Sequence, residues 1–249
     1  MAADSADVSY TLPLFPLRHV LFPQFLLRLH VFEERYKVMI GDCIAREEAF
    51  GVVLIRSGEE VGDPAVPHQI GCRARILEIE PLEDGQMNLL AVGEGRFRLL
   101  DWREADLPYL IGRAEPMEDA PAQPEVLSPL ADRLLRVFSR YLGLLAGRAG
   151  LPLPEMDLPE DPTLLAFCIA SVIPLSALDK QRLLEMTDAP ERLRREIRLL
   201  RRMVAEVESL PAGGQAEPEP EDSSARTLVA RPMSQDPERW QRYRHDGRN

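Results

Sequence analysis

Ser171, Ser176 and Lys180 are the residues of this 249-residue chain whose types and spacing come nearest to a nucleophile with its base. A lysine amine placed against a serine hydroxyl can take its proton and free the oxygen to attack an amide, which would make the chain an ATP-independent peptidase. Only Lys37 and Lys180 could serve, and both fall on amphipathic helical patterns that read as structural. Other routes to hydrolysis have no motif. There is no G-x-S-x-G elbow and no H-E-x-x-H, and His19, His30, His68 and His245 are scattered rather than spaced as metal ligands. Cys43, Cys72 and Cys168 form no C-x-x-C pair, so neither a zinc knuckle nor a disulfide framework is expected. A phosphate cradle needs converging glycines and a lysine or helix start; the run VGEGRF at 92–97 lacks a third glycine and reads as a turn between strands. No catalytic, metal-ligating or cofactor-binding residue is assigned, and the chain is expected not to be an enzyme.

Two charged clusters remain. In ERLRREIRLLRRM at 191–203 the arginines could meet a polyanion, but Glu191 and Glu206 stand four residues from Arg195 and Arg202, the spacing of a solvated, ion-paired helix face. In FEERY at 32–36, Glu33 and Arg35 are expected to make capping or ion-pair contacts, with Tyr36 opening a buried stripe. A net charge of −11 repels phosphate backbones, so nucleic acid is not an expected partner. The polar, acidic start and the interruption of the longest uncharged stretch by Pro174 give no sign of a secretory leader or membrane span, and a reducing cytoplasm is expected.

The elements that would position these residues divide the chain. Over Gln24 to Val31 the alternation sets Phe25, Leu27, Leu29 and Val31 on one face, a strand; Tyr36, Met39, Ile40, Cys43 and Ile44 then follow at helical spacing. Pro13, Pro16 and Pro23 belong at strand ends, edges or turns. Further strands are read from FGVVLIRS, from the long stretch Cys72 to Trp102 with a hairpin turn at Asp84-Gly85, and from LPYLIGRAEP. After a Pro/Ala/Glu-rich joint the pattern turns helical, with starts at Ser128-Pro129, Asp161-Pro162, Ser176 with Asp179, and Asp188-Ala189-Pro190. Beyond Pro211 the composition predicts a disordered tail, in which Leu228, Val229, Trp240 and Tyr243 could form a docking peptide.

Four segments, LPLFPLRHVLFPQFLLRLHVFEERYKVMIGDC, FGVVLIRSGEEVG, IGCRARILEIEPLEDGQMNLLAVGEGRFRLL and DKQRLLEMTDAPERLRREIRLL, taken in order, resemble the N-terminal substrate-binding domain of Lon proteases. The likeness runs from about Thr11 to Glu208 and is nearest to bacterial proteins made of that domain alone. It implies an α+β fold: a PUA-like β pseudo-barrel with one amphipathic helix over 11–117, a C-terminal helical bundle lobe over 118–209, and the disordered tail from 210 to 249. The ATPase and serine-lysine peptidase modules of full-length Lon have no counterpart in the sequence, so a non-catalytic binder is implied, with unfolded or extended polypeptides as partners and a separate protease or chaperone as recipient. An RNA-binding role would follow from PUA-like fold analogy alone. The peptide-binding surface is sought among Leu14, Phe15, Leu17, Phe22, Leu26 and Phe32, apolar residues in excess of what the core requires.

Overall fold

A computed structural model of the chain describes residues 9–59, 65–104, 107–153 and 156–210. The expected tail and its docking peptide lie beyond these. The elements in chain order are β1 (Tyr10–Leu17), β2 (Leu26–Val31), α1 (Glu34–Arg46), β3 (Phe50–Ser57), β4 (Val66–Pro81), β5 (Met87–Glu104), β6 (Leu110–Met117), α2 (Pro124–Ala149), α3 (Pro162–Val172), α4 (Ala177–Glu185) and α5 (Ala189–Ser209). Contacts group them into two units. One holds the described residues up to Glu118 with Pro174–Glu185; the other holds Asp119–Ile173 and the described residues from Met186. The sequence assigned all of 118–209 to the helical lobe, but α4 groups with the strands, because Gln181, buried on its inner face, donates from Nε2 to the Ile70 carbonyl (2.9 Å) and Arg96 of β5 donates to the Leu184 carbonyl (2.8 Å).

In the first unit the six strands form one mixed sheet in the order β2-β5-β4-β3-β1-β6, and β6 also pairs with β5. Hydrogen bonding thus runs round five strands and returns to β5, leaving β2 outside the ring. Every pairing is antiparallel except β1 with β3. The length of β5 makes this possible: residues 87–92 pair with β2 and residues 96–104 pair with β6 on the same side. Between the two halves, Arg73 and Ala74 of β4 face Gly95 and Gly93, so Glu94 bulges out. VGEGRF is therefore the bend of a continuous strand and not the expected turn. Gly93 is required there: a Cβ would stand 2.3 Å from the Phe22 carbonyl oxygen, and Gly93 exchanges backbone hydrogen bonds with Gln24 and Phe25.

Pro13 and Pro16 lie inside β1 and, of the ends, edges or turns expected for them, meet the edge condition residue by residue. Stagger explains why they are tolerated. β6 pairs with residues 10–14 and β3 with residues 14–17, so each proline has a partner on one side only. Because 13 and 16 differ in parity, their missing N–H groups point to opposite sides, each to the side that lacks a partner at that residue. Pro23 sits in a turn and Asp84-Gly85 supplies the two positive φ angles of the β4–β5 connection, both as the sequence predicts. Leu12, Leu14, Val53, Phe97, Leu99, Leu110 and Ala114 form a core cluster. The Tyr36 ring of α1 stacks on Phe15 at 4.1 Å, and Tyr109 donates to Asp42 at 2.6 Å.

In the second unit α2 packs along α5, with α3 against both. α2 starts at Pro124 rather than at Ser128-Pro129, so Pro129 lies within the helix. The starts of α3 and α5 follow the sequence reading: Asp161 accepts from the Leu164 amide and Asp188 from the Glu191 amide, both at 2.8 Å. One expectation for α5 fails. Arg192 is fully buried, donates twice to the carboxylate of Asp119 and once to the Met186 carbonyl, and lies 4.2 Å over the Phe167 ring. Glu191 pairs with Arg194 and Arg198 on the solvated face.

Candidate functional site

Among the described residues β2 pairs with β5 alone, so its second edge carries no strand. An edge of this kind presents unpaired backbone donors and acceptors to any extended chain that approaches it. Which residues present them follows from the register. Gly93 donates its amide to the Phe25 carbonyl at 2.9 Å, a hydrogen-bonded partnership one step before the Leu26–Val92 pair. In antiparallel ladders such pairs alternate with non-bonded ones. Leu27, Leu29 and Val31 therefore bond inward to β5, while the N–H and C=O groups of Leu26, Arg28 and His30 point to the open edge.

The side chains sort by the same alternation. Leu27 and Val31 are buried and Leu29 half-buried on the core face; Leu26, Arg28, His30 and, just beyond the strand, Phe32 form the outer row, with Arg28 and His30 exposed and Phe32 42% exposed. A polar chain crosses three strands behind this row. Asn88 donates from Nδ2 to Glu80 at 2.8 Å, which leaves its Oδ1 to accept from His30 Nδ1 at 3.1 Å. The His30 and Phe32 rings stack at 6.1 Å. No carboxylate among the described residues pairs with Arg28. The entrance to α1 fixes the end of the row: Glu33 and Arg35 form the expected ion pair at 3.0 Å, Arg35 lies 4.6 Å over Tyr36, and Lys37 donates to the Asp84 carbonyl at 3.1 Å, tying helix to hairpin.

Of the six residues proposed from sequence, two meet here. Leu26 and Phe32 share the outer row, separated by Arg28 and His30. Leu14, Phe15, Leu17 and Phe22 are buried, with exposures of 0 to 5%, and a side chain without surface cannot line an accessible groove. They belong to the core. Arg28 and His30 escaped the sequence reading because it looked for apolar contact, and a backbone edge leaves no mark in composition.

The nucleophile candidates are otherwise employed. Ser176 caps α4, its Oγ accepting from the Asp179 amide at 3.1 Å and donating to the Asp179 carboxylate at 2.8 Å; the Ser171 hydroxyl donates to the Cys168 carbonyl of its own helix. Burial lowers the pKa of Lys180, and burial together with the nearby Lys180 charge lowers that of His19. All three cysteines are buried free thiols; burial pushes Cys43 up to about 11 and Cys168 up to about 12, and holds Cys72 higher still, which removes their thiolates at neutral pH. No group of three or more His, Cys, Asp or Glu among the described residues could hold a metal ion, and no described helix is long and apolar enough to cross a membrane.

Residues 11–202 match the family described as the ATP-dependent protease La (LON) substrate-binding domain. The chain belongs to that family. Lon protease of Anaeromyxobacter dehalogenans (strain 2CP-C) is 29% identical over 202 residues, which are 79% of this chain and 24% of that protein. Lon protease of Xanthomonas oryzae pv. oryzae is 30% identical over 203 residues, 77% of this chain and 23% of that one. The LON-family chain thus spans about a quarter of the length of the curated relatives it matches. Among solved structures, a Lon N-terminal domain protein from Xanthomonas campestris is 31% identical with a TM-score of 0.55, covering 75% of this chain and 96% of that one. The N-terminal domain of Mycobacterium avium complex Lon protease, 17% identical with a TM-score of 0.59, shares the fold over 79% of this chain and 99% of its own.

Proposed function

We propose that this LON-family chain is a non-catalytic polypeptide-binding module that takes up unfolded or extended segments as an added strand on β2. The open edge carries the proposal: three alternating residues, Leu26, Arg28 and His30, offer backbone groups that any sequence can meet, and membership of a substrate-binding family supplies the class of ligand. Phe32 adds exposed apolar contact at one end of the row. The ring of five strands is read as a PUA-like pseudo-barrel that serves as a rigid frame for the edge, and captured segments pass to a separate protease or chaperone. Absence of turnover fits the capping role of Ser176, the back-bonded hydroxyl of Ser171 and the raised thiols.

Proline at position 28 tests the edge directly. Its missing N–H faces the open side, so the ladder to β5 keeps its bonds while an incoming strand loses a donor. Arg28→Pro is expected to weaken binding of a reduced, alkylated, permanently unfolded protein by about tenfold, roughly the worth of one or two backbone hydrogen bonds, while Arg28→Ser binds it saturably. Circular dichroism confirms that both variants fold. Equal affinity of the two variants, or cleavage of the unfolded protein with or without ATP, contradicts the proposal.

A further inference from the structure

We infer that the β2 edge selects extended polypeptide segments that set a carboxylate opposite Arg28 on one face and apolar side chains on the other. This rests on the strand-addition reading above and names the class of segment it favours.

Side chains of an added strand fall into the two rows that β2 already defines. On the core side its residues lie beside Leu27, Leu29 and Val31, of which Leu29 is only half covered, so apolar side chains complete that row. On the outer side they lie beside Leu26, Arg28 and His30. Arg28 is exposed, stands at the middle of the edge and has no carboxylate partner among the described residues, so a carboxylate delivered across the new ladder meets an uncommitted guanidinium at about 5 Å between Cβ atoms.

Acidic groups on the same face point the other way, and distance decides between them. Glu78 and Glu80 are exposed on β4, in register with Leu90 and Asn88 of β5 and through these with Arg28 and His30 of β2. They sit two strands from β2 and three from an added strand, about 14 Å away at ~4.8 Å per strand. Screening at physiological salt has a length of about 8 Å, so their repulsion is largely damped while the adjacent Arg28 acts at full contact range.

Three nine-residue peptides, each alternating valine with glutamate, serine or lysine and bearing a fluorophore, test the inference by anisotropy with the full chain. The glutamate peptide is expected to bind about three- to fivefold more tightly than the serine peptide, the range of an exposed ion pair, and the lysine peptide more weakly than either. In Arg28→Ser, and in 0.5 M salt, the glutamate and serine peptides are expected to bind alike. Equal affinities of all three for the unaltered chain overturn the acidic preference and leave strand addition standing. Binding of none of them, or sedimentation showing a second copy seated on the edge while the peptides stay free, overturns both.

Discussion

At the scale of single residues, Arg192 and Glu196 determine how the second unit tolerates charge. Both are completely buried on α5, one turn apart. Arg192 is matched by Asp119 and the Met186 carbonyl, so Asp119→Ala leaves a guanidinium buried without its counter-charge. A loss of about 3 kcal/mol in unfolding free energy is expected from urea titration, against a smaller loss for the double change Asp119→Leu with Arg192→Met. Glu196 differs, since neither of its oxygens has a hydrogen-bond partner among the described residues. Burial raises its pKa well above the usual carboxylate range, although the Arg192 charge opposes the shift. The folded state therefore holds a proton that the unfolded chain releases, and stability falls as pH rises through and above the ordinary carboxylate range. Glu196→Gln removes this cost, so its advantage over the unaltered chain is expected to be small near pH 4 and to grow towards pH 8. A gain that is flat with pH would show that Glu196 is ionised in the folded state.

At the scale of elements, the junction of β2 and β5 is the sensitive point. Gly93 sits where the backbone of residues 22–25 presses on the bend of β5 and where the hydrogen bonds that set the β2 register begin. Gly93→Ala is expected to cost about 1–3 kcal/mol through overpacking against a carbonyl that cannot rotate away. Because the damage falls on the register of β2, peptide affinity should drop along with the melting temperature. A melting loss with unchanged affinity would separate the site from this junction. Local signals were legible here and distant ones were not. Asp161, Ser176 and Asp188 announce their helices because a cap acts within three residues, and Asp84-Gly85 marks its turn for the same reason. VGEGRF was misread because its meaning depends on a partner about 70 residues away, Phe22, which no local pattern specifies. Arg192 looked like one more surface arginine, since helical spacing cannot reveal that Asp119 waits on its buried side.

At the scale of the whole molecule, a ring of strands leaves one edge over among the described residues, and the chain places that edge beside exposed Arg28, His30 and Phe32. The α+β character and the family were readable in the order of the apolar segments. The site was not, because edge status is a property of the completed sheet; burial then removed four of six apolar candidates that composition could not tell from surface. A charged residue in the middle of an exposed edge also discourages indiscriminate pairing between copies of a protein, so Arg28 limits self-association while admitting a selected strand. Hydrogen exchange resolved to single amides, on the full chain with and without a saturating unfolded polypeptide, tests this account most directly. Slowed exchange at the outward-facing amides of Leu26, Arg28 and His30, with little change at the already bonded amides of Leu27, Leu29 and Val31, is the result it predicts. Saturable binding that leaves Leu26, Arg28 and His30 exchanging as in the free chain would contradict it.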